Sequence, residues 1–229
     1  MQRKPDVVCQ DHPATETFGD QLKMINRLPV MIAAAVEGIV DEAVVRRLIE
    51  HVGARPGPVY GKSGKLKLLK SIKGYNEAAR HGPWIVLVDL DHDAECAPPF
   101  CAEWLPSVAP RMCFRIAVRE VEAWLLADRE HLADFLRIPV SSIPLAPESI
   151  EDPKQTLVNM ARRSRLRAIQ KDMVPRPESR RQVGPAYPSR LIEFVENRQK
   201  GWRPEVAAES SSSLSRCLQC LYRLAEGRK

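Results

Sequence analysis

Apolar positions along the chain follow two rhythms. Met31 to Val36, Trp84 to Val88 and Met112 to Val118 are short apolar runs, the pattern of strands buried in a parallel sheet. Between them apolar residues recur three and four apart: Val44, Val45, Leu48, Ile49 and Val52 within Asp41 to Val52, then Leu66, Leu69, Ile72 and Tyr75. That spacing predicts helices with one packed face. Pro58 to Tyr60 adds a candidate short strand in a Gly/Pro-rich segment, and Met112 to Val118 passes directly into a helical pattern through Val121, Trp124 and Leu125, with a further helix around Leu132 to Leu136. Strands alternating with helices predict the α/β class: a mostly parallel sheet flanked by helices.

Beyond Ile138 the rhythm changes. Prolines at 139, 144, 147 and 153 mark a loop, after which Leu157 to Ile169, Ser189 to Glu196 and Ser213 to Leu224 read as helices, with Ser210 to Ser213 as a helix cap or short linker. At the other end, residues 1–28 are polar and aperiodic, with a second methionine at Met24. The expected organisation is a disordered or variable extension over 1–28, an α/β core over 29–138, and a helical C-terminal part over 139–229 packed on the same domain. No internal repeat is evident.

Composition narrows the class. With 229 residues, 44% of them hydrophobic, the chain can bury a sizeable core, which excludes disorder of the whole. No apolar run reaches the ~18 residues of a membrane span, and the first two dozen residues mix charges with prolines, so a cytoplasmic protein is expected. Six cysteines are too sparse for a disulfide framework. Cys217 and Cys220 have zinc-knuckle spacing but lack a second pair, and Leu214, Leu218, Leu221 and Leu224 make that stretch an amphipathic helix. The net charge of +6 says little alone. Its distribution says more: Arg162, Arg163, Arg165, Arg167, Lys171, Arg176, Arg180 and Arg181 face only Asp172 and Glu178 within that stretch, a density suited to phosphate contacts or to a solvated helix face. Leu66 to Tyr75 is likewise studded with lysines.

Three predicted strands end in carboxylates: Val36-Glu37-Gly38, Val88-Asp89-Leu90-Asp91 and Val118-Arg119-Glu120-Val121-Glu122. The carboxyl ends of parallel strands converge on one crevice. Gathered there, these acids would repel one another unless a cation neutralised them or one stayed protonated. An all-oxygen donor set points to Mg²⁺ or Mn²⁺. Asp89 and Asp91 alternate onto one side of an extended segment and could hold an ion together. Asp41, one turn beyond Glu37, is either a further ligand or an acid serving the helix dipole.

These residues carry a family resemblance. Ala35-Val36-Glu37-Gly38 with Asp41-Glu42, then Val88-Asp89-Leu90-Asp91, then Arg119-Glu120-Val121-Glu122-Ala123-Trp124-Leu125-Leu126-Ala127-Asp128 resemble the DUF4276 family, and Asp152-Pro153-Lys154 and Gly184-Pro185-Ala186-Tyr187 fit its pattern. That family is similar to the Toprim-like nuclease half of OLD-family proteins and often stands beside ABC-type ATPases in bacterial defence operons. The resemblance implies a Toprim-like fold and a metal-dependent nuclease acting on DNA or RNA with an ABC-type ATPase partner. It implies Glu37 as general acid/base or metal ligand and Asp89 and Asp91 as a metal-binding pair. Glu120 or Glu122 would complete a second site, and Lys154 would stabilise charge on the reacting phosphorus. Lys62, Lys65, Arg119 and the arginines at 162, 163, 165 and 167 are the candidate nucleic-acid contacts.

Two further patterns compete. Gly57 to Ser63 brushes against a phosphate loop, but its glycine spacing is one residue short. Asp89-Leu90-Asp91 also resembles the nucleophile motif of haloacid-dehalogenase-type phosphatases, although Asp93 stands where that family wants Thr or Val. A different class of answer is a catalytically weak regulatory subunit of an ATPase complex.

Overall fold

The computed structural model describes residues 28–93 and 97–227. The expectation for 1–28 therefore lies, except for Leu28, outside the described residues. The chain opens with β1 (Met31–Val36), α1 (Ile39–His51) and β2 (Arg55–Gly61), then α2 (Lys65–Lys70), α3 (Ile72–Ala78) and β3 (Trp84–Asp89). After α4 (Ala97–Trp104) come β4 (Met112–Ala117), α5 (Val121–Ala127) and α6 (Arg129–Leu136). Two 3₁₀ turns lead to α7 (Pro153–Arg162), α8 (Arg167–Met173), α9 (Tyr187–Glu196), α10 (Pro204–Ser210) and α11 (Ser212–Ala225).

All strand pairs are parallel, in the order β2-β1-β3-β4. The α/β class expected from the apolar rhythm is thus found. Side-chain alternation divides the apolar residues between two faces. Ile32, Ala34 and Val36, Ile85 and Leu87, and Cys113 and Ala117 lie in a cluster with Val44, Val45, Leu48 and Ile49 of α1 that continues through the C-terminal helices to Leu224. Ala35, Val86, Val88, Phe114 and Ile116 meet Leu68, Leu69, Ile72 and Phe100 on the other face. The C-terminal helices therefore share a core with the sheet.

Three differences from the sequence reading have local causes. The single helix expected through Leu66 and Tyr75 is broken at Ser71, where Ser71 N donates to Leu68 O and Gly74 N to Ser71 O, a three-residue tightening. Leu157 to Ile169 likewise divides into α7 and α8 around Ser164, whose hydroxyl accepts from Leu166 N. Helices α4 and α10 have no counterpart among the predicted elements, and both carry prolines, Pro98 and Pro99 in one and Pro204 in the other. They stand in first turns, where no N–H is required.

Polar pins fix the C-terminal helices to the strand-end turn after β4. Ser213 Oγ accepts from Trp124 Nε1 at 2.7 Å and from Val118 N at 3.4 Å, and Trp202 Nε1 donates to Trp124 O. Fully buried Asp128 accepts from Arg203 N, Nε and Nη2. Ser211 caps α11 by accepting from Leu214 N, so the Ser210 to Ser213 stretch is a cap. No helix among the described residues is long and apolar enough to cross a membrane.

Candidate acidic site at the strand ends

The first carboxylates reach the site through backbone bonds. Glu37, just past β1, accepts through Oε1 from Asp89 N at 2.8 Å, and Asp89, the last residue of β3, accepts through Oδ1 from Val121 N at 3.0 Å. Asp91 N in turn donates to Arg119 O at 2.8 Å, and Arg119 Nη1 donates back to Asp91 O at 3.0 Å. Strand ends separated by 52 and 32 residues are thereby stitched together.

The turns at this edge are conformationally costly. Lys62 after β2, Asp91 after β3 and Arg119 after β4 all have left-handed backbones, with φ of 63°, 50° and 64°. Each such non-glycine residue costs on the order of 1–3 kcal/mol, and strain of this kind concentrates at functional sites. Gly61 precedes Lys62 at φ 87°, and a Cβ there would lie 2.2 Å from Val36 O, so only glycine lets β2 leave the sheet at this point.

Seven carboxylates share the edge with two ammonium groups. Lys154 Nζ pairs with Glu120 and stands 3.8 Å from Glu122 Oε1, while its backbone N donates to Glu120 Oε2. Lys65 Nζ contacts Asp91 at 2.5 Å and Asp93 at 2.7 Å. The innermost acids carry the electrostatic load. Burial raises Glu37 to about 7, with the charges of Asp41 and Asp91 adding to the rise against Lys65 and the Asp89 amide. Burial likewise raises Glu122 to about 7, opposed by Lys154 and reinforced by Glu120. Half-buried Asp89 is pushed well above the usual carboxylate range by desolvation and then by Asp41, Glu122 and Glu37, and buried Asp41 is raised chiefly by desolvation. Lys154 is held protonated by Glu122 and Glu120 despite its own burial.

The same charge imbalance tests a divalent cation. Two lysines do not neutralise seven acids, and the surplus is stored as raised proton affinity at the residues farthest from solvent. All the donors are carboxylate oxygens, which fits Mg²⁺ or Mn²⁺ rather than zinc. Asp91 and Glu120 are occupied by lysines, while among the described residues Glu37, Asp41 and Asp89 feel Lys65 or Lys154 at most at longer range and form no direct ion pair. Among the described residues, no three His, Cys, Asp or Glu side chains are grouped so that they could hold an ion as they stand. The donor chemistry fits; loading the site would require the carboxylates to close in and a lysine to yield.

A cleft of about 210 Å³ opens beside this cluster, lined by Asp91, Arg119, Glu120, Asp152, Lys154 and Gln182. Lys65, expected to meet phosphate, instead belongs to the acidic site, with its side chain only 14% exposed. Lys62 pairs with Glu42 at 2.9 Å, and Arg119 braces Asp91 and His92. The arginines at 162, 163, 165 and 167 are exposed. Arg162 and Arg167 line a concavity of about 410 Å³ with Lys171 and Arg176. Arg176 and Arg181 line the next one, and Gln182 belongs to the cleft at the carboxylates. Tyr187, which the family pattern includes without a site role, belongs to the site: its hydroxyl donates to Glu122 Oε1 at 3.3 Å across 65 residues. No local spacing signals such a contact. Compared with family models, curated proteins and solved structures, the chain matches none.

Proposed function

We propose that the chain is a Mg²⁺- or Mn²⁺-dependent nuclease of Toprim-like architecture that hydrolyses phosphodiester bonds in DNA or RNA. One observation carries the reading: Glu37, Asp89 and Glu122, from three separate strand ends, share one site with more negative charge than its lysines neutralise. A divalent cation bound there would supply Lewis-acid polarisation of the phosphate and lower the pKa of water.

The chain's own groups suit the remaining tasks. Glu37, raised to about 7, exchanges a proton readily at neutral pH and suits a general acid/base. Lys154 stays protonated and suits stabilisation of negative charge developing on phosphate oxygens. Asp89 fixes the turn that delivers Glu120 and Glu122. The basic concavities from Arg162 to Arg181 border this cleft through Gln182 and fit a nucleic-acid backbone. The DUF4276 resemblance adds an ABC-type ATPase partner, a cytoplasmic setting and an effector role in anti-phage defence.

The test is cleavage of plasmid DNA, single-stranded DNA and transfer RNA with Mg²⁺ or Mn²⁺, alongside Asp89→Ala and with any co-encoded ATPase. Metal-dependent cutting lost in the variant is expected. One observation favours a second reading, a catalytically weak regulatory subunit: Lys65 and Lys154 already occupy Asp91 and Glu120. Absence of cutting in every combination by folded protein selects that reading. Hydrolysis of small phosphomonoesters alone would select a phosphatase, although Asp89 Oδ1 is engaged by Val121 N and poorly placed as a nucleophile.

A further inference from the structure

Strand β4 is an edge of the sheet, and a second cavity lies along its opening half, at the other end of the strand from the carboxylates. The cavity is about 400 Å³, within the range of small-molecule sites. Pro110, Met112, Phe114 and Leu224 give it apolar walls, and Arg115 and Arg223 supply its positive charge.

Arg115 is unusual for its position. It projects from the middle of a strand, half-buried, and its Nε is buried without a hydrogen-bond partner. Among the described residues, the groups that act most strongly on Arg115 include no carboxylate. Its neighbours are the thiols of Cys113, Cys217 and Cys220. Burial pushes the Cys113 thiol up, and contact with Cys113 pushes Cys220 up, so both remain neutral at pH 7. A guanidinium is always charged, and a desolvated cation without an anion is costly.

We infer that this cavity is a binding site for a small organic anion, an apolar body ending in an oxyanion that pairs with Arg115 and Arg223. The apolar walls would take the body. The Arg115 guanidinium, whose side-chain bond goes to the neutral thiol of Cys220, would exchange that contact for the anionic head, where a charge-assisted bond is stronger than a neutral one.

The test is a fluorescence titration of the full chain with 8-anilinonaphthalene-1-sulfonate, an apolar anion. Octanoate and phenyl phosphate serve as competitors, to tell a carboxylate preference from a phosphate preference. Saturable binding, displacement by one of them and roughly tenfold or greater weakening in Arg115→Met are expected. Should Arg115→Met fail to fold by circular dichroism, Arg223→Met at an exposed position keeps the test. It is expected to weaken binding about threefold. Dye binding that neither anion displaces, or that neither substitution weakens, overturns the inference.

Discussion

Replacing Glu122 by Gln isolates the electrostatic load of the acidic site. Glu122 is 3% exposed, and its carboxyl rises from an ordinary 4.5 to about 7. It binds its proton more tightly folded than unfolded. Its favourable contribution is therefore complete below about pH 4.5 and is lost as pH climbs through about 7. Converted at ~1.4 kcal/mol per tenfold change in proton affinity, the loss is ~3 kcal/mol. For a domain of this size that corresponds to about 6–12 °C in Tm. Gln keeps an acceptor for the Tyr187 hydroxyl and has nothing to titrate. Urea unfolding in EDTA at pH 5 and pH 8.5 reads the difference. Wild type should lose at least this much stability across the interval, since Glu37, Asp41 and Asp89 act with the same sign. Glu122→Gln should lose ~3 kcal/mol less. Equal losses in the two proteins would refute the assignment of charge strain to Glu122.

Other perturbations test other parts. Asp128→Ala removes a fully buried acceptor of three Arg203 donors, while the partly exposed guanidinium keeps Glu130, and should cost ~1–3 kcal/mol in urea unfolding. Gly184→Ala would bring a Cβ to 2.4 Å from Asp172 O, at the base of the loop carrying Arg176 and Arg181, and should lower stability by ~1–3 kcal/mol in a thermal melt. Exchanging Arg162, Arg167, Lys171 and Arg176 for Gln should flatten the dependence of log affinity for single-stranded DNA on log salt by about 3, measured by anisotropy.

The strands were legible because a strand covered on both sides must be apolar throughout, as in Ile85 to Val88. The carboxylates at their ends were legible for the same reason: polar residues straight after such runs mark the edge of the sheet. What stayed hidden depends on contacts that local spacing does not encode. The Tyr187 bond to Glu122 spans 65 residues, and the turn of Lys65 toward Asp91 spans 26. The lysine-rich look of Lys65 to Lys73 suggested one solvated basic face, whereas Lys65 alone turns inward to serve the acids. Helices α4 and α10 went unpredicted, and both carry proline in the first turn, where a breaker of helix interiors is tolerated. Arg115 appears in the sequence as an interruption of an apolar run, and only the open edge of β4 gives it surroundings.

The pins at Ser213 and Trp202 bear on the order in which the ribosome delivers the chain. Glu37, Asp89 and Glu122 emerge early, yet the turn that unites them is braced by Ser213 on Val118 and Trp124 and by Trp202 on Trp124. A nascent chain that has released Glu122, the last of these acids, still lacks these braces until about 80–90 further residues have been made. Assembly of the acidic centre thus waits until the chain through Ser213 has been made, and a product terminated before Trp202 would carry the acids without the scaffold that aligns them.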